Sequence, residues 1–146
     1  MKLENLLSIA FVAGTLALGT RGADEKPPID HSKPVAGVPH KYKNVDPATF
    51  DQMRKADKEA VVLDVRTKKE YQEGHIPGSV LMDFNSADFE KEVAKLDKNK
   101  TYLVHCASGG RSARACSKME NLDFSKLYNL QGGMRAWEKA GKPVEK

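Results

Sequence analysis

The sequence predicts an α/β fold, a parallel sheet with helices on both faces, and two observations carry that prediction. Five segments of strand character alternate with helical segments along residues 41–144, and alternation at this pitch builds strand–helix–strand units rather than hairpins. Two of those segments, AVVLDV at Ala60–Val65 and YLVHC at Tyr102–Cys106, are near-continuous apolar runs instead of alternating ones. That is the pattern of a strand covered on both faces.

The elements follow in order. Tyr42–Val45 is a short first strand. Asp46 and Pro47 supply an N-cap and a proline at the first helical position, so a helix runs from there to about Ala56. Ala60–Val65 is the second strand, polar Thr67–Glu73 a short helix stopped by Gly74, and Ser79–Met82 the third strand after a turn holding Pro77 and Gly78. Within Ala87–Leu96, the residues Phe89, Val93 and Leu96 recur three or four apart and form one helix face. Tyr102–Cys106 is the fourth strand, Ser112–Leu122 a helix, Lys126–Leu130 the fifth strand and Gly133–Ala140 a last helix, whose Met134 and Trp137 point to the core. In such sheets, ligands bind beyond the carboxyl ends of the strands, so the residues that end strands are the candidates for chemistry.

Residues 1–40 stand apart from this pattern. Leu6–Leu18 is apolar except for Ser8, Gly14 and Thr15, too short for the roughly 20 residues a membrane helix needs but of the length of an export-signal core. Lys2 gives a thin basic start, and the small residues Ala17 and Gly19 fit the positions before a cleavage site. The expectation is a signal peptide at 1–19, cleaved near 19–23, a proline-rich linker at 20–40 and a domain at 41–144. The protein is then exported, periplasmic or secreted, with no stable membrane insertion after cleavage. The linker holds four of the seven prolines, and its His31 and His40 are expected to be solvated.

Composition narrows the function classes. Lys and Arg number 24 against 20 Asp and Glu, a net charge of +4 without basic runs, which argues against nucleic acid as a partner. The two cysteines, Cys106 and Cys116, are too few for a disulfide scaffold or a structural zinc site. A Cys116–Cys106 disulfide would join a strand end to the second turn of a helix, a poor geometry, and Cys116 reads as a small core residue.

Cys106 ends its strand and is followed by Ala107, Ser108, Gly109, Gly110, Arg111 and a helix that opens at Ser112. Three features there favour thiolate. A helix N-terminus offers unpaired N–H groups and partial positive charge. The two glycines let successive amides curl around an anion, and Arg111 adds a full charge. Such settings lower a thiol pKa from about 8.5 to roughly 3.5–7.5. Arg111 and Arg114 in the opening turn of a helix oppose its dipole, a conflict that a bound anion would resolve. The competing reading is a buried, inert cysteine followed by a glycine turn.

Four residues separate Cys106 from Arg111, one fewer than in thiol phosphatases, whose flanks are otherwise similar. The smaller cradle suits a single sulfur atom on the thiolate better than a phosphoryl group. Three segments, LDVRTKKEYQEGHIPGS at Leu63–Ser79, HCASGGRSA at His105–Ala113 and LQGGMRAWEKAGKPV at Leu130–Val144, together resemble the rhodanese-like sulfurtransferases. The resemblance spans nearly the whole domain. It implies a five-stranded parallel sheet flanked by helices, Cys106 as the residue that carries a persulfide, and no cofactor. The implied partners are a small anionic sulfur donor such as thiosulfate and a cyanide or thiol acceptor, a protein thiol included. The loop residues 107–112 would hold the anion, with Arg114 and Arg66 as further donor-binding candidates. One departure is Ser79, which stands where the family often has Ala and so bears on local packing.

Three further residues admit two readings. Arg66 either reaches the donor or pairs with Glu70, the latter favoured. His75 is read as a hydrogen-bonded turn residue rather than a general base, since a thiolate needs none. His105 adjoins the nucleophile in sequence but points to the opposite face, and is expected to be packed. The charged face of Lys91, Glu92 and Lys95 is expected to be solvated.

Overall fold

Capping chemistry sets where the helices begin. Asp46 caps helix α1 (Pro47–Ala56) through its side chain, which accepts from the Thr49 N–H at 2.9 Å, with Pro47 in the first turn. Thr67 caps α2 (Lys68–Glu73), and the Glu70 side chain returns the bond to the Thr67 N–H, a reciprocal capping box that closes two orphan donors. The computed structural model describes residues 40–146. The expected leader and the linker through residue 39, with His31, lie outside the described residues. His40 is exposed, as expected, although its ring lies 5.0 Å from that of Tyr42.

The strands are β1 (Lys43–Val45), β2 (Val61–Asp64), β3 (Val80–Leu81), β4 (Tyr102–His105) and β5 (Leu127–Leu130). They form one sheet in the order β1-β5-β4-β2-β3, every pair parallel. The remaining helices are α3 (Phe89–Ala94), α4 (Gly110–Asn121) and α5 (Gly133–Lys139). Each element stands within a few residues of its expected place. The largest difference is α3, which begins at Phe89 because the preceding residues form turns, with Phe89 N–H bonded to Ser86 O.

Alternation along the central strands divides the core into two layers. Leu63, Tyr102, Val104 and Cys106 pack with Phe89, Val93, Ala115, Cys116 and Met119, the layer of α3 and α4. Val62 and Leu103 face the other way, onto Phe50, Leu130, Met134 and Trp137, the layer of α1 and α5. Burying a large apolar side chain contributes about 1.5–3 kcal/mol, so these two layers fix β4 in the middle of the sheet and its carboxyl end in a defined place.

Three residues have buried side-chain atoms without a hydrogen-bond partner among the described residues: the Ser79 hydroxyl, both ring nitrogens of His105 and Asn129 Oδ1. The Ser79 hydroxyl bears out the expected packing irregularity: the position is closed, and a methyl group would fill it without needing a bond. His75 has the expected turn role. Its ring stacks on Tyr71 at 3.8 Å, its Nδ1 lies 3.0 Å from Tyr71 O, and its backbone bridges that of Glu145. Among the described residues no helix is long and apolar enough to cross a membrane.

Candidate active site

The loop after β4 is shaped by what its carbonyls bind. Cys106 O accepts from the Met134 N–H at 2.8 Å and Ala107 O from the Arg135 N–H at 3.1 Å, so the first turn of α5 draws both carbonyls to one side. The amides that follow turn the other way. Gly109 adopts φ +100°, a left-handed conformation that side chains other than glycine's resist, and its N–H donates to Cys106 Sγ at 3.1 Å. Ser112 Oγ lies 3.3 Å from Sγ and 3.1 Å from Gly109 O, so its single proton serves either acceptor. The sulfur thus sits at the amino end of the twelve-residue helix α4, where the cap position carries no side-chain bond of its own.

These donors set the direction in which the thiol pKa moves. Burial pushes the Cys106 thiol up, but the Ser112 hydroxyl and the backbone N–H groups of Ser112, Ser108 and Gly109 outweigh it, and the thiol ends below its ordinary value. Cys116, one turn beyond Ser112 on α4, is pushed well up by burial and by the charges of Glu120 and Cys106, against a single backbone N–H. Both cysteines are unpaired with each other. Cys106 is 1% exposed while Ser108 and Gly110 stand in solvent, so the sulfur is covered by a loop that itself faces solvent.

The arginines depart from expectation. Arg66 pairs neither with Glu70 nor with the loop: its guanidinium binds Asp64, Nη2 to Oδ2 at 2.7 Å, and donates to Gly74 O at 2.7 Å, and it is 6% exposed. Asp64 lies two residues earlier on the same strand face, fully buried, and captures it first. Glu70 instead takes Arg111 in a two-pronged pair, Nη1 to Oε2 at 2.8 Å and Nη2 to Oε1 at 2.7 Å. The anion that relieves Arg111 at the helix start is therefore this carboxylate. Arg111 holds Glu70 down to about 2. Arg114 is exposed, its guanidinium 5.3 Å over the Phe84 ring rather than in the loop.

His105 behaves as a packed residue. It is fully buried, edge-on to Phe50 at 6.4 Å, with Nε2 3.6 Å from Asp64 Oδ2. Burial outweighs the attraction of Asp64 and holds its pKa down to about 4, so the ring is neutral near pH 7. Sequence reasoning missed Glu70 as a site residue and Gly132 with Gly133 as the seat of the loop. A Cβ on Gly133 would fall 2.4 Å from Cys106 O and 2.6 Å from Ala107 C. Both had a visible signal: Thr67 and Glu70 have capping-box spacing, and a glycine pair follows the last strand closely.

A family profile, the Rhodanese-like domain, matches residues 46–140. The protein YtwF of Bacillus subtilis is 37% identical over 101 residues, covering 69% of this chain and 95% of that one. The thiosulfate sulfurtransferase GlpE of Pseudomonas savastanoi is 35% identical over 97 residues, 66% of this chain and 87% of that one. Among solved structures, the rhodanese-related protein of Thermoplasma volcanium superposes with a TM-score of 0.63 at 29% identity, covering 71% of this chain and 98% of that one. The profile match takes in every strand but β1, and the relatives span nearly their full length, so the chain belongs to the rhodanese-like domain family of sulfurtransferases.

Proposed function

We propose that this protein is a thiosulfate-type sulfurtransferase in which Cys106 carries the sulfur to cyanide or a thiol. The observation that carries the reading is the Cys106 sulfur held by the Gly109 N–H and the Ser112 hydroxyl at the amino end of α4. The thiolate attacks the outer sulfur of the donor, the S–S bond of thiosulfate breaks, and sulfite leaves with the bonding pair. The terminal sulfur of the new persulfide is anionic, and loop amides pointing inward stabilise it as they do the thiolate. An acceptor nucleophile then takes that sulfur and returns Cys106 to its starting state. The apolar segment Leu6–Leu18 supports an enzyme that works after export.

The test is turnover: thiosulfate and cyanide are expected to yield thiocyanate with the wild-type chain and with Cys116→Ser, and none with Cys106→Ser. Activity retained in Cys106→Ser, or hydrolysis of an aryl phosphate at a comparable rate in its place, contradicts the reading.

A further inference from the structure

Both arginines at the carboxyl end of β2 and the start of α4 are already neutralised by carboxylates of this chain. Arg66 is locked to Asp64, and Arg111 is gripped at both prongs by Glu70. The Glu70 carboxylate is itself fixed from behind, because Oε2 accepts from the Thr67 N–H and the Thr67 hydroxyl, each at 3.0 Å. Arg114 lies over Phe84. The groups that reach the Cys106 sulfur are therefore the Gly109 N–H and the Ser112 hydroxyl, and the arginine that opens the same helix is already held in a balanced ion pair. Arg111 directly precedes Ser112 in the first turn of α4, and the Ser112 hydroxyl lies 3.3 Å from the Cys106 sulfur, so the carboxylate that grips Arg111 stands at the same helix end as that sulfur.

We propose that Glu70 is a charge gate for the sulfur donor: by occupying Arg111 it disfavours dianionic donors relative to those with a single negative charge. This rests on the sulfurtransferase reading above. A donor's charge must compete with a fixed carboxylate for the same guanidinium, and the penalty grows with the number of charges it brings. Glu70 acts through Arg111 and is a positioning residue, not a catalytic one. The reaction is the same for each donor. Thiosulfate transfers its outer sulfur and releases sulfite, while an aryl thiosulfonate transfers its outer sulfur and releases a sulfinate. The two differ by one unit of charge.

The experiment measures the second-order rate constant for Cys106 persulfide formation, read by quenched intact mass, with thiosulfate and with benzenethiosulfonate. Gln at this position keeps the capping-box geometry and removes the charge. Glu70→Gln is expected to raise the thiosulfate constant about tenfold and the thiosulfonate constant only about threefold, the proportion expected for two charges against one. Glu70→Asp, which retains the charge, is expected to keep the ratio of the two constants within about twofold of wild type. Equal factors for both donors in Glu70→Gln, or a parallel fall in both, would mean that Glu70 only supports the fold, and overturns the gate. A wild-type chain that gains no sulfur from either donor overturns the sulfurtransferase reading itself, and the gate with it.

Discussion

Cys106 and Cys116 are both buried, yet their surroundings drive the two thiols in opposite directions. Desolvation is common to them, and the difference is that Cys106 meets the Ser112 hydroxyl and three backbone N–H groups, whereas Cys116 has one backbone N–H and the repelling charges of Glu120 and Cys106. A hydrogen bond to a charged group contributes about 1.5–3 kcal/mol, so the Ser112 hydroxyl at 3.3 Å is a substantial part of what lowers the Cys106 thiol pKa. Ser112→Ala removes a donor to the anion, which raises the thiol pKa. The acid limb of the pH–rate profile for persulfide formation is then expected to move to higher pH, with a rate about tenfold lower at pH 7 and convergence with wild type in alkali. An unmoved limb in that profile would assign the low thiol pKa to the backbone amides alone. The cysteine and its glycines were legible in the sequence because their residue types have few other uses at that spacing. The partners of Arg66 and Arg111 were not. Two carboxylates, Asp64 and Glu70, lay within reach along the chain, and only the fold shows that Asp64 is fully buried and takes the nearer arginine.

At the scale of elements, the site is a joint between β4, α4 and the start of α5. Three left-handed glycines make the joint possible, Gly109 in the loop and Gly132 and Gly133 at the amino end of α5. Gly133 has the least room, since a Cβ there would meet Cys106 O at 2.4 Å. Gly133→Ala is expected to destabilise the fold by roughly 2–4 kcal/mol, from the strained backbone and the forced displacement of the loop. It is also expected to lower the persulfide-forming rate by more than the stability loss alone accounts for, because the carbonyls of Cys106 and Ala107 lose their seat. Denaturant unfolding and single-turnover rates on the same variant measure both, and an unchanged rate would separate α5 from the function of the loop. The glycine pair was visible in the sequence as a turn signal. Its role was not, because the contact it permits joins segments 26 or more residues apart.

For the whole molecule, the order and type of elements followed from hydrophobic period and punctuation. Helix starts at Asp46–Pro47 and strand runs such as Ala60–Val65 stand where local chemistry puts them. Strand order β1-β5-β4-β2-β3 did not follow from any local pattern, since a buried strand reads alike wherever it sits in a parallel sheet. That order brings the end of β4 between β2 and β5, with Asp64 in register with His105 on one side and Val104 with Asn129 on the other. The alternation of faces along β4 sends His105 into one layer and Cys106 toward the other, which is why the histidine beside Cys106 in sequence is edge-on to Phe50 rather than next to the sulfur.

The central claim is that this arrangement makes Cys106 the sulfur-carrying atom, and intact mass after incubation with thiosulfate tests it most directly. The account predicts a gain of about 32 Da, one sulfur, that maps to the peptide containing Cys106, disappears on adding cyanide, persists in Cys116→Ser and is absent in Cys106→Ser. No gain, or a gain that maps to Cys116, would contradict it.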